Sequence, residues 1–331
     1  MRTRTLGRSD VPVTALGFGA AGIGNLFTPV RDDEAYEALD AAWDAGIRYF
    51  DTAPHYGIGL SERRLGEFLR SRPTGSYTLS TKVGRRLEPY EGGGDDLADG
   101  FAVPATHRRV WDFSADGVRR SIEESLGRLG VDKIDVVYLH DPDHHARQAF
   151  GEACPELERL RGEGLVGAVG AGMNQARMLT RFVGDTDVDV VLCAGRYSLL
   201  DQGALPRLLP AAAARGVSVV IGGVFNSGLL ADPRQGGTFD YTLAAPVMVR
   251  KALKLKELAE RHGTTLRAAA LAFPFGHPAV TGVLVGTRSA AEVLDTVQQF
   301  ETPVPDGFWA DARARHLLDP DAPTPEQKER A

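Results

Sequence analysis

Gly17-Phe18-Gly19-Ala20-Ala21-Gly22 closes the first apolar run of the chain with the spacing G-x-G-x-x-G. The fold turns on how this stretch is read. In an open dinucleotide-binding sheet the last glycine lies in the first turn of a helix, whose N-terminus receives a pyrophosphate. Here residues 23–31, with Pro29, come before a helical pattern starts at Asp32. The next strand does end on an acid, Asp51, but 29 positions beyond Gly22, where such a sheet places it about 20 on. The stretch reads better as a flexible loop at the mouth of a barrel.

The pattern on either side supports a barrel. Residues 11–18 read as a strand. Residues 32–45 have helical spacing, with Ala35, Leu39, Ala42 and Trp43 on one face and Gly46 as the stop. A short strand then ends at Asp51. After it, helices are expected over 62–70, 114–129, 154–161, 175–183, 204–214, 246–262, 265–273 and 290–300. Strands are expected over 77–83, 134–140, 165–170, 188–193, 217–221 and 280–285. Most strands are short continuous apolar runs, as when both faces of a sheet are covered. Eight such strand–helix units imply a parallel sheet closed as a (β/α)8 barrel. No linker or composition shift divides the chain, so residues 1–331 read as one domain. Residues 84–112 are expected to be a long irregular loop, functional or mobile. Residues 301–331, with five prolines, are expected to be a tail that wraps the outside and frays.

Bulk properties exclude several functions. The net charge of −6 argues against general nucleic-acid binding. Only two cysteines occur, Cys154 and Cys193, neither in a CxxC pair, which suits a reducing cytosol. The first residues carry arginines with no apolar run behind them, unlike a secretory signal. No stretch approaches the roughly 18 apolar residues of a membrane span. A soluble cytoplasmic protein is expected, acting on a small molecule, as a monomer or homodimer.

In a (β/α)8 barrel the chemistry sits at the C-terminal ends of strands. The second strand offers Asp51, with Tyr56 in the loop DTAPHYG; the third offers Lys82; the fourth offers His140. A phenol has an ordinary pKa of about 10, too high for easy proton transfer at neutral pH. A nearby ammonium favours the phenolate, a carboxylate holds that ammonium, and an imidazole can orient a substrate oxygen. Together they suit proton transfer beside a carbonyl or carbinol.

Asp51, Tyr56, Lys82 and His140 resemble the tetrad of the aldo-keto reductases, and DTAPHYG with its lead-in GIRYFDTA resembles that family's second-strand signature. The resemblance runs from about Leu6 to Phe300. It implies a barrel that binds NAD(P) without a Rossmann domain. It implies Tyr56 as general acid/base, Lys82 and Asp51 as the groups lowering its pKa, and His140 as substrate orienter. It further implies that Gly19, Ala20 and Asp51 lie beside the nicotinamide and that Asn174 holds its carboxamide. Gly286, Thr287, Arg288 and Ser289 would grip phosphate, with Glu292 meeting adenine or ribose. The chain departs from the family at Ala194, where many members carry glutamine, and at Gly222, where many carry a stacking aromatic. Phe225 is expected to supply the missing surface. These departures, with LHDPD, resemble the branch that oxidises aldoses such as L-fucose, D-arabinose or L-galactose at C1; an oxidant of pyridoxal resembles the same branch.

Other readings stay open. A general aldehyde reductase fits the same tetrad, and an idle cofactor-binding regulatory subunit is the alternative of another class. Arg288 favours a 2′-phosphate while Glu292 opposes it, leaving NAD against NADP undecided. His140, Asp141, Asp143, His144 and His145 are metal-ligand types, but Pro142 turns the chain and no further ligand set is evident, so no metal is expected. His55 is either a substrate contact or a loop residue. Trp111 either covers a sugar or plugs the rim.

Overall fold

Eight short apolar strands close into a ring in the computed structural model, which describes residues 1–325. They are β1 (Leu16–Gly19), β2 (Tyr49–Asp51), β3 (Thr78–Val83), β4 (Ile134–His140), β5 (Val166–Met173), β6 (Val190–Ala194), β7 (Ser218–Gly222) and β8 (Val280–Gly286). Each pairs in parallel with the next and β8 pairs with β1, so no edge is left open. The expected helices lie between the strands, with Pro246–Arg261 and Leu266–Ala272 both preceding β8. Their ends follow local chemistry. Ser114 Oγ accepts the Gly117 N–H at 2.9 Å and starts Ala115–Leu129, and Gly130 at φ 64° ends it. Gly66 in Leu60–Leu69 lets two helices touch backbone to backbone, since a Cβ there would lie 2.0 Å from the Leu129 oxygen.

Inside the ring, Tyr49, Val136, Tyr138, Ala168, Val190, Leu192, Val220 and Leu284 form one apolar cluster, closed below by Leu6 and Val13. Those two plugs come from a feature unlike the single first strand expected over 11–18. Pro12–Thr14 pairs antiparallel with Thr3–Thr5 under the barrel, and only Leu16–Gly19 enters it. Thr14 makes the break. Its hydroxyl donates to the Leu16 oxygen at 2.8 Å and accepts the Arg48 and Tyr49 N–H groups at 3.1 and 3.2 Å.

Two further corrections concern the segments read as irregular. Residues 84–112 form two antiparallel ribbons, Arg85–Pro89 with His107–Trp111 and Asp95–Asp96 with Phe101–Pro104. Phe101 and Val103 are buried against Ile58 at the barrel mouth. The expected fraying tail instead contains the helix Asp306–Ala314, with Phe308 and Trp309 buried and Asp311 within 2.9 Å of His262 Nε2. Its last residues, 326–331, lie outside the described part. Cys154 and Cys193 are both free and buried. Among the described residues no helix is long and apolar enough to cross a membrane.

Candidate active site

Alternate residues of a strand share a face, so each site residue stands above a partner two positions earlier. Asp51 stands over Tyr49, Lys82 over Ser80 and His140 over Tyr138. All six are buried, and five of them, all but His140, are linked by hydrogen bonds into a polar column in an apolar barrel. Tyr138 and Tyr49 share a hydrogen bond of 3.0 Å between their hydroxyls. Ser80 Oγ lies 3.3 Å from the Tyr49 hydroxyl and 2.7 Å from Asp51 Oδ1. The other carboxylate oxygen, Oδ2, accepts from Lys82 Nζ at 2.6 Å, and the Thr52 carbonyl accepts from the same ammonium at 2.9 Å. The Lys82 and Asp51 side chains are 3% and 5% exposed. Tyr56 hangs over this pair, its ring centroid 4.7 Å from Nζ. The His140 ring meets Tyr56 edge-on at 5.9 Å.

The electrostatics separate the roles. Burial raises the Tyr56 pKa, the Lys82 charge lowers it, the Asp51 charge raises it, and the net shift is upward. The phenol is therefore protonated at neutral pH. The resemblance assigns both Lys82 and Asp51 to lowering this pKa. Here the Lys82 charge lowers it and the Asp51 charge raises it, while Asp51 Oδ2 accepts a hydrogen bond from Lys82. Burial also works against the Lys82 charge, but the Asp51 carboxylate and the Tyr56 oxygen outweigh it and hold the ammonium above its ordinary range. His140 is pushed well below the ordinary imidazole range, first by burial and then by the charges of Arg85 and Lys82. It is neutral at pH 7, and its Nδ1 has no hydrogen-bond partner among the described residues.

Tyr56, Lys82 and His140 lie in the floor of a cavity of about 590 Å³. Asn174 lines it too, with its Nδ2 donating to the Ala194 carbonyl at 3.1 Å. His55 is also in the lining, and it is clamped from the ribbon. Arg109 donates to the His55 carbonyl at 2.8 Å and to its Nδ1, and holds Asp96 through two contacts of 2.6 Å. Trp111 does not line the cavity; it stacks on Phe113 and His145, 43% exposed, on the outer ribbon. Arg85 and Tyr241 line the cavity and were not singled out from the sequence; Asp141, weighed there only as a metal-ligand type, lines it too. Arg85, three positions past Lys82, was within reach of the strand-end rule; Tyr241 sits on a loop tip that no local pattern marks.

Of the expected phosphate-binding residues, Gly286, Thr287 and Arg288 line a second cavity of about 350 Å³, with Glu292 and Phe225, and Ser289 does not. Phe225 thus stands away from the tetrad, and the aromatic its segment sends to the tetrad cavity is Tyr241. Ser289 Oγ caps Ala290–Glu301 by accepting the Glu292 N–H at 3.2 Å. Glu292 in turn accepts the Arg288 N–H at 2.9 Å, and the Arg288 guanidinium reaches Thr28 at 2.7 Å. Gly19 pairs with both Gly286 and Asp51, and the Ala20 N–H donates to the Asp51 carbonyl at 2.8 Å. Neither residue lines either cavity; Ala21, next in the chain, lines the tetrad cavity. Gly222 ends β7 buried, and Gly223 beside it lines the second cavity. The chemistry fits an elongated dinucleotide: a helix start and two arginines at one end, an amide side chain and the tetrad at the other. Among the described residues no three His, Cys, Asp or Glu are grouped to hold a metal. His144 is 93% exposed and His145 is stacked on Trp111.

Residues 15–314 match the model of the aldo/keto reductase family. A D-threo-aldose 1-dehydrogenase of a Pseudomonas species is 43% identical, over 96% of this chain and 97% of that enzyme. A pyridoxal 4-dehydrogenase of Microbacterium luteolum is 40% identical, over 95% of this chain and 97% of that enzyme. Among solved structures, an aldo-keto reductase of Bacillus halodurans in its holo form superposes with a TM-score of 0.75 at 26% identity, covering 99% of both chains. With a family match over almost the whole barrel, and relatives this similar end to end, the chain belongs to the aldo/keto reductase family.

Proposed function

We propose that this protein oxidises an aldose at C1 to the lactone with a nicotinamide dinucleotide, Tyr56 acting as general base in that direction and general acid in the reverse. The observation that carries the reading is the buried Lys82–Asp51 pair beneath the Tyr56 ring at the floor of a cavity. A bound nicotinamide supplies the hydride acceptor. Tyr56 takes the proton of the anomeric hydroxyl while the C1–H pair leaves as hydride and C1=O forms. Lys82 steadies the phenolate that Tyr56 must become before it can accept that proton. His140, neutral, donates an N–H to the substrate oxygen without adding charge. The 43% identity to a D-threo-aldose 1-dehydrogenase supports a sugar as substrate. A second reading, oxidation of pyridoxal, is favoured by the 40% identity to a pyridoxal 4-dehydrogenase.

For the cofactor we propose NAD. Both arginines of the second cavity already face carboxylates, Arg267 with Asp295 at 2.5 Å and Arg288 with Glu292 at 3.4 Å. A 2′-phosphate there would meet those two acids. The test is steady-state kinetics with NAD and NADP against L-fucose, D-arabinose, L-galactose, pyridoxal and simple aldehydes. Highest kcat/KM with an aldose and NAD is the expected result. Turnover of pyridoxal alone would select the second reading. Cofactor binding with no turnover of any substrate would favour a regulatory subunit.

A further inference from the structure

One charged pair in the tetrad cavity has no part in the proton transfer. Arg85 opens the ribbon strand Arg85–Pro89, opposite Trp111, and its guanidinium lies 4.4 Å from the centre of that ring. It forms an ion pair with Asp141, the residue after β4. Asp141 is held in a left-handed conformation, φ 45°, and its N–H donates to the Gly172 carbonyl at 3.0 Å. Both side chains line the cavity, 15% and 28% exposed, and Asp141 Oδ2 is 3.8 Å from His140 Nε2. Part of each side chain therefore stays open to whatever occupies the cavity.

We infer that Arg85 and Asp141 read the hydroxyls next to the reacting carbon, selecting polyhydroxylated substrates over hydroxyl-poor aldehydes. A lone arginine in the wall would select an anion. The pair is neutral overall and offers fixed donors beside fixed acceptors, which match a diol: one hydroxyl accepts from the guanidinium and its neighbour donates to the carboxylate. Its closeness to His140 sets it against hydroxyls one or two carbons from C1. A substrate lacking those hydroxyls displaces water from the pair and returns no hydrogen bond to it, and is disfavoured for that reason. The inference rests on the aldose reading.

The test is the ratio of kcat/KM for the best aldose in oxidation to kcat/KM for benzaldehyde in reduction, in the wild type, Arg85→Met and Asp141→Asn. The ratio should fall about 10- to 100-fold in both variants, the range for losing a hydrogen bond to a charged group. An unchanged ratio, however far both rates fall together, would reduce the pair to a structural role and overturn the inference. Asp141→Asn is close to isosteric and carries the test alone if Arg85→Met does not fold. A wild type that reduces benzaldehyde and oxidises no aldose refutes the aldose reading and this inference with it. A wild type that oxidises aldoses, with no change of ratio in the variants, refutes the inference only.

Discussion

Replacing Lys82 by methionine should destabilise the barrel in a way that depends on pH. In the wild type the ammonium is 3% exposed and donates to Asp51 at 2.6 Å and to the Thr52 carbonyl at 2.9 Å. Methionine fills the space and leaves Asp51 with only Ser80, among the described residues, as a side-chain partner, at 2.7 Å. Removing one member of a buried ion pair costs about 3–5 kcal/mol, because the other charge is stranded. The stranded acid can escape by taking up a proton, which for an ordinary aspartate costs about 4 kcal/mol at pH 7 and about 1.5 kcal/mol at pH 5. The penalty is therefore capped near these values. Since the variant's folded state now binds the extra proton, its stability relative to wild type improves as pH falls. Urea unfolding, followed by tryptophan fluorescence and circular dichroism at pH 7 and pH 5, measures both. Adding Asp51→Asn should recover most of the loss at pH 7. A Lys82→Met penalty equal at the two pH values, or below about 1 kcal/mol at pH 7, would refute the reasoning.

Acid should weaken the wild-type protein through its cavity histidines. Burial, helped by Arg85, Arg109 and Lys82, lowers the His55 pKa to about 2, and His140 shifts the same way. Below about pH 6.5 the unfolded chain binds protons that the folded chain refuses, so stability falls by up to about 1.4 kcal/mol per pH unit for each histidine. His55→Gln should flatten the slope of unfolding free energy between pH 6.5 and 5; an unchanged slope counts against the burial argument. Gly57→Ala should cost more than about 1 kcal/mol and lower the thermal midpoint, because φ is +61° and the new Cβ would stand 2.2 Å from the Gly24 oxygen. A variant as stable as wild type would contradict that contact. Glu292→Gln should tighten NADP relative to NAD by about tenfold, read by quenching of protein fluorescence; no change would mean that Glu292 does not face the 2′ position.

The barrel was legible because its strands are buried on both faces and read as short apolar runs with helices between them. The tetrad was legible because strand ends such as Asp51, Lys82 and His140 interrupt those runs with polar residues. Tyr49, Ser80 and Tyr138 were open to the same reasoning, two positions earlier on the same face, but each passes for an ordinary strand residue until the column is assembled. The order of residues 84–112 was not legible. It comes from contacts distant in sequence, such as Arg109 on His55 and on Asp96, and the strands there are short and broken by glycine turns. Trp111 shows the same limit: an exposed ring in a loop suggests a sugar platform, but pairing with Arg85 turns it onto Phe113 and His145. In the tail, the apolar pair Phe308 and Trp309, passed over among the prolines, is what docks the helix.

Tyr56→Phe, assayed by the absorbance of reduced nicotinamide with the best aldose, tests the central claim most directly. Loss of the phenolic oxygen should lower kcat at least about 100-fold, while NAD still binds with the wild-type dissociation constant. A variant that keeps the wild-type kcat would remove Tyr56 from the proton transfer and contradict the account.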